Sequence, residues 1–209
     1  MTQPALLRDQ GTHSDWEQLD LYRVFAYAFG APTRDRFEWL SAPQTVEVLA
    51  RMQNQKKGAK RASVRPFQRY EDYESSYIAL FDVGVPEPPV PLVESAHRKD
   101  VPAQQIALEN VEFYQVLGMR HNPASYAPDH LVTQLEFLGL VRYAWEKAND
   151  CSGRESLERL ERDFLNRHLL NWLPSVERKL ARIQPPLFPT LMSLLLADLR
   201  AKTASLGGR

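Results

Sequence analysis

Asp129, His130 and Glu136 are the residues of this chain whose types and spacing most invite chemistry. Two carboxylates and an imidazole on one short stretch supply a general acid, a general base and possible metal ligands. A helix through this stretch would carry Asp129 and Glu136 on the same broad face. The Asp-His order, however, reverses the His-Asp pair of metal-dependent phosphohydrolases, and the further ligands such a site needs are not evident. Cys151 with His168 has the composition of a nucleophile and its base, yet Cys151 lies in a polar stretch with no electropositive neighbourhood. The five histidines (13, 97, 121, 130, 168) and the one cysteine form neither Cys-x-x-Cys nor His-Glu-x-x-His, so zinc spacing is absent. Gly-x-x-x-x-Gly-Lys-Ser/Thr and Gly-x-Gly-x-x-Gly are also absent. The reading is of a chain with no catalytic residue, no metal and no cofactor. A small metal- or nucleotide-dependent hydrolase built on Asp129, His130 and Glu136 stands as the alternative.

The same stretch has a purely structural reading. Pro128 suits the first position of a helix, where its missing N–H would be unpaired anyway. Asp129 is stabilised in a first turn by the positive end of the helix dipole. His130 is the odd residue, because a protonated imidazole would be repelled there. Behind it Leu131, Leu135, Leu138, Val141 and Trp145 form an apolar stripe running to Asn149.

The other elements that must position this helix are also helical. Ser14 and Glu17 have capping-box spacing before a stripe of Leu19, Tyr22, Phe25, Ala26 and Phe29, with Gly30 as its stop. Short helices are expected from Arg34 to Leu40 and from Pro43 to about Gln53. Lys56 to Arg65 is a basic segment without interleaved aromatics, which suits a solvated loop better than a binding patch. Phe67, Tyr70, Tyr73, Tyr77, Leu80 and Phe81 recur at helical spacing and read as core. A helix containing Ile106 and Phe113 is expected to end at Gly118. Ser152 to Glu155 has capping-box spacing for a helix through Phe164 and His168, with Pro174 ending or kinking it, and Leu187 to about Leu206 forms the last helix. Between these, residues 82–102 hold prolines at 86, 88, 89 and 91, which forbid a helix. Val90, Leu92 and Val93 nevertheless suggest a loop lying against the body. No period-2 strand and no repeat is found. The expected fold class is all-α: a single-domain bundle of roughly eight to ten helices over residues 1–209, with a loose leader at 1–13 and the proline-rich loop as a hinge between two lobes.

Composition narrows the function classes. The chain has 209 residues, 44% hydrophobic and 25% charged, an ordinary balance for a soluble protein. Its 26 basic and 26 acidic residues cancel, so no global field recruits nucleic acid or an anionic membrane. A single cysteine fits a reducing compartment. The first residues lack the apolar core of a signal peptide, and no apolar run approaches a membrane span. The sequence reads as a cytoplasmic protein with no nucleic-acid partner and no membrane insertion.

Three blocks carry a resemblance. Tyr77-Ile-Ala-Leu80-Phe81 with the proline loop ending Pro91-Leu-Val-Glu94-Ser95, then Pro128-Asp129-His130-Leu131 with Leu135-Glu136-Phe137, then Arg162-Asp163-Phe164-Leu165 through His168-Leu169, Trp172 and Pro174, occur in that order. Together they resemble the TorD/DmsD/NarJ family of molybdoenzyme maturation chaperones, the redox enzyme maturation proteins. Leu92-Val93 departs from the family block, where many members have a tyrosine just before Glu-Ser. The resemblance implies a cytoplasmic, non-catalytic chaperone whose partner is a molybdoenzyme catalytic subunit, bound as apo-protein or through its N-terminal signal peptide, often a twin-arginine one. The wording around Val90-Pro91-Leu92 is similar to chaperones of the dimethyl sulfide, ethylbenzene, chlorate or selenate branch. A twin-arginine peptide asks for an apolar groove with carboxylates at one end. Glu94, Asp129 and Glu136 are the expected arginine contacts, Ser95, His130 and Leu131 complete the expected site, and the loop 84–101 would close over the peptide. Structural alternatives stay open: Asp129 as a helix-start residue, His168 as a core histidine, Glu94 as a cap or a partner of Arg98. Both a monomer and a domain-swapped dimer are compatible with the proline hinge.

Overall fold

In the computed structural model, residues 21–54, 65–122, 124–184 and 186–207 are described. The leader, the Ser14–Glu17 pair and most of the Lys56–Arg65 segment lie outside the described residues. Nine α-helices run in order: α1 Leu21–Ala28, α2 Arg34–Ser41, α3 Pro43–Asn54, α4 Tyr70–Tyr77, α5 Ala103–Val116, α6 Leu131–Lys147, α7 Cys151–Arg167, α8 Leu169–Leu180 and α9 Leu187–Gly207. Among the described residues the only extended pairing is an isolated antiparallel bridge between Val93 and His130. The fold is all-α, as the apolar periodicity requires.

Helix ends follow local chemistry, though not always the residues expected. Thr33 caps α2 by accepting the Arg36 N–H, and Pro43 occupies the first turn of α3. The cap of α7 is Asp150, whose carboxylate accepts the Gly153 N–H at 2.7 Å, so the Ser152–Glu155 spacing is not used. An aspartate two residues earlier both pairs with the N–H and meets the helix dipole with a full charge. α5 ends in a Schellman motif. Gly118, at φ +69°, donates to the Gln115 carbonyl and Met119 donates to that of Tyr114, both at 3.0 Å. The break between α7 and α8 falls at His168 (φ −115°, ψ −89°), while Pro174 sits inside α8.

Helix α6 is the central element. Leu131, Leu135, Leu138 and Val141 are buried along it, and it packs against α1 and α7. Phe188 of α9 gathers Phe67, Tyr73, Tyr77 and Phe81 at ring separations of 5.0–6.0 Å. This is the aromatic stripe behaving as core. A second cluster joins Phe113, Tyr114, Phe137 and Phe164.

The proline-rich stretch divides in two. Residues 83–87 and 89 are exposed, and Gly84 is required in that turn because an added Cβ would stand 2.2 Å from the Glu87 carbonyl oxygen. From Val90 onward the chain is fastened. Val90 and Leu92 are buried, Val90 N–H donates to the Leu80 carbonyl, and Leu131 N–H donates to that of Leu92. No helix of the described residues is long and apolar enough to cross a membrane.

Replacing Gly118 by alanine is expected to lower stability by about 1 kcal/mol, since a side chain at positive φ is strained while the space around it is open. Gly118→Asn should cost less. Urea denaturation of both variants checks the order.

Candidate functional site

The three sequence blocks converge on one buried carboxylate. Glu94 is fully buried at 0% exposure, on a single 3₁₀ turn at the end of the proline loop. Its Oε1 accepts from Arg98 Nη1 at 2.8 Å. Its Oε2 accepts from Gln134 Nε2 at 2.6 Å, His168 Nδ1 at 2.9 Å and Asn110 Nδ2 at 3.3 Å. Gln134 Oε1 in turn accepts from Trp172 Nε1 at 3.1 Å. Asn110 Oδ1 accepts from Gln134, and the Tyr114 hydroxyl reaches both Asn110 Oδ1 and the Pro128 carbonyl. One carboxylate thereby ties the loop to α5, α6, the α7–α8 break and α8. Burial alone would push the Glu94 carboxyl up. The bond and charge of His168, with bonds from Arg98 and Asn110, outweigh it and hold the carboxyl below its ordinary range.

Asp129 and Ser95 complete the fastening. Ser95 N–H donates to Asp129 Oδ2 at 3.0 Å and Glu94 N–H to the Asp129 carbonyl at 2.9 Å. Asp129 is 4% exposed and Leu131 is 0% exposed. The helix starts at Leu131, three residues later than a first position at Pro128 would place it, and His130 is its N-cap. His130 Nδ1 accepts the Val132 N–H at 3.1 Å. Burial lowers the His130 pKa to about 4, so the ring is neutral and has a lone pair to offer. The misfit of a cation at a helix start therefore disappears.

Glu94 and Asp129, the expected contacts for a partner's arginines, are both inside the protein: Glu94 is met by four side-chain donors, Arg98 among them, and Asp129 Oδ2 accepts the Ser95 N–H. Ser95, His130 and Leu131 likewise hold the loop and the start of α6, and the loop from Val90 to Arg98 is attached to the body instead of standing open as a lid. Of the alternatives left open, Glu94 pairs with Arg98, and His168 is a core histidine. Cys151 and His168 lie at opposite ends of α7, about 25 Å apart along the axis, so they form no pair. No group of three potential metal ligands occurs among the described residues.

Glu136 goes elsewhere. It is exposed within the otherwise buried run Leu131–Gly139 and opens into a groove of about 1050 Å³ between α1, α2 and α6. Ala26, Val132, Gly139 and Leu140 supply apolar surface, and Tyr27, Tyr126 and Tyr143 supply aromatic rings. Glu136 has no hydrogen-bonding or ion-pair partner among the described residues. Burial pushes its carboxyl above the ordinary range, and the Arg36 charge offsets part of that. Arg36 itself is engaged with the end of α1, donating to the Tyr27 and Ala31 carbonyls and lying over the Tyr27 ring at 4.9 Å. Arg23, Tyr27, Arg36, Tyr126 and Tyr143 were not singled out from the sequence. Tyr27 and Arg36 sit on short helices whose patterns reveal a buried face but not what lies opposite it.

A family model described as nitrate reductase delta subunit matches residues 48–177. A selenate reductase assembly chaperone protein from Thauera selenatis is 37% identical over 123 residues, covering 57% of this chain and 63% of that relative. A chlorate reductase assembly chaperone protein from Ideonella dechloratans is 34% identical over 119 residues, covering 56% and 62%. A dimethyl sulfide dehydrogenase assembly chaperone protein from Rhodovulum sulfidophilum is 30% identical over 185 residues, covering 83% and 74%. The chain thus spans under two thirds of the length of the first two relatives.

Removing Glu94 leaves Arg98 and three polar side chains facing a void. Glu94→Ala is expected to cost about 3–5 kcal/mol in urea denaturation. His130 supplies a pH signature. The unfolded chain takes up its proton near pH 6.5 and the folded one only near 4. The stability this group contributes is therefore complete above about pH 6.5 and lost as pH falls toward 4, on the order of 3 kcal/mol in all. His130→Asn keeps an N-cap acceptor without titrating, so its unfolding free energy should fall less than that of wild type between neutral and acid pH.

Proposed function

This chain belongs to the family described as nitrate reductase delta subunit, and from that premise we propose that it is a dedicated assembly chaperone of a molybdopterin-containing oxidoreductase. It is non-catalytic. It acts in the cytoplasm on the catalytic subunit before cofactor insertion and export, binding that subunit's N-terminal signal peptide, of twin-arginine type, in the groove between α1, α2 and α6. The observation that carries this reading is Glu136, an unpartnered carboxylate in a groove otherwise lined by apolar and aromatic surface.

The chemistry matches such a peptide in two respects. An apolar segment coiled into a helix buries one face in a groove of this kind. A guanidinium at its end meets Glu136 in a charge-assisted hydrogen bond and lies against tyrosine rings, where its weak hydration makes desolvation less costly than for an ammonium. The cation would also offset the partial desolvation of the Glu136 charge by the groove walls. The names of the relatives support the assembly role, and the three-residue alternative, a hydrolase on Asp129, His130 and Glu136, finds no support in their positions, since Asp129 points to Ser95 while Glu136 faces the groove.

The test is isothermal titration with the twin-arginine leader peptide of any molybdopterin-containing subunit whose gene is found to neighbour that of this chain. Wild type should bind in the micromolar range or tighter. Glu136→Gln should bind roughly 10- to 100-fold more weakly, the loss of one charged hydrogen bond, with stability changed by no more than about 0.5 kcal/mol. A leader that fails to bind wild type at tens of micromolar sinks the proposal, and binding retained after deletion of the leader from the subunit would move recognition to the mature protein.

A further inference from the structure

Tyr126 stands where the groove meets the fastened start of α6. Its ring stacks on His130 at a centroid distance of 4.3 Å and an interplanar angle of 15°. Its carbonyl accepts from His121 Nε2 at 2.8 Å. Its hydroxyl accepts the Ala31 N–H at 2.6 Å, reaching across the groove mouth to the turn between α1 and α2. Ring, carbonyl and hydroxyl are thus held by three different segments.

That hydroxyl bond is solvent-exposed. Water would satisfy the Ala31 N–H nearly as well, so the bond adds little to folding. What water cannot supply is position, because the tyrosine hydroxyl is the hydrogen-bonded link, among the described residues, between the wall formed by Ala124, Ser125 and Tyr126 and the opposite wall at Ala31 and Thr33. A phenolic hydroxyl also has one proton to donate. While the oxygen accepts from Ala31 N–H, that proton has no acceptor among the described residues, and Tyr126 lines the groove.

We propose that Tyr126 is a recognition and positioning residue of this groove: its hydroxyl sets the separation of the two walls and donates its proton to a backbone carbonyl of the bound segment. The inference rests on the groove being the client site, and it adds a contact indifferent to the client's side chains. A polypeptide offers such a carbonyl at every residue, so Tyr126 favours chain over a free cation of the same charge. A preorganised wall also lessens the ordering cost of binding.

The test uses the full-length protein and Tyr126→Phe, which keeps the ring on His130 and removes only the hydroxyl. Amide exchange read by NMR should show the Ala31 N–H exchanging at least tenfold faster in Tyr126→Phe, with Trp172 and Leu173 at wild-type protection. Affinity for the same leader peptide should fall at least fivefold, while affinity for propylguanidinium, a cation with no carbonyl, stays within twofold. Unchanged exchange at Ala31 overturns the positioning role, and faster exchange with unchanged peptide affinity overturns the recognition role. Equal losses for peptide and propylguanidinium overturn the carbonyl contact. If wild type binds no peptide, the reading of the groove as client site falls and the recognition role with it, whereas the exchange comparison still decides whether Tyr126 fixes the wall.

Discussion

A fully buried carboxylate is the most demanding group in this fold. Taking the Glu94 charge out of water costs several kcal/mol, and only a complete set of donors makes that burial tolerable. Four side chains from separate elements meet it: Arg98 beside the loop, Asn110 on α5, Gln134 on α6 and His168 between α7 and α8. None of these elements can shift far without uncovering the charge. The buried network therefore acts as a geometric specification of the fold, beyond what apolar packing alone would fix.

The functional consequence is a division of labour around α6. Gln134 and Glu136 are two positions apart, about 200° around the helix axis. Gln134 faces the buried network and Glu136 faces the groove. Rigidity on one side is communicated to the other through the start of α6, where His130 caps the helix, bridges to Val93 and carries Tyr126 on its ring. A groove whose floor is so anchored holds its carboxylate in a fixed place, which is what the proposed recognition of one cation on a flexible segment would require.

Residue types that invite a catalytic reading can thus be consumed by architecture. Asp129, His130 and Glu94 have the composition of an acid–base site, yet each is engaged by a backbone or side-chain partner in its own protein. His130 illustrates the point. Read as a cation it contradicted a helix start, and read as a neutral acceptor it makes one, because burial removes the proton and exposes the lone pair that the Val132 N–H needs. The motif blocks that resemble the chaperone family owe much of their character to this internal fastening; of the residues quoted for them Glu136 faces the groove, beside Arg23, Tyr27, Arg36 and Tyr143 from outside the blocks.

What the amino-acid sequence determined by itself was the local layer. Helical periodicity, proline and glycine punctuation and the aromatic stripe from Phe67 to Phe81 placed most helices within a few residues, because these signals depend on neighbours along the chain. It also placed Val90 and Leu92 against the body, since apolar side chains in an irregular stretch still seek burial. Only the tertiary structure decided which carboxylate is inside and which is outside. Glu94 and Glu136 are chemically the same group beside similar apolar neighbours, and nothing local distinguishes them. Their difference is set by partners from 4 to 74 positions away for Glu94 and by the absence of any for Glu136 among the described residues. The groove at Glu136 was invisible for the same reason: it is made by α1, α2, Tyr126 and α6 meeting across the chain, and burial and pairing are properties of that meeting.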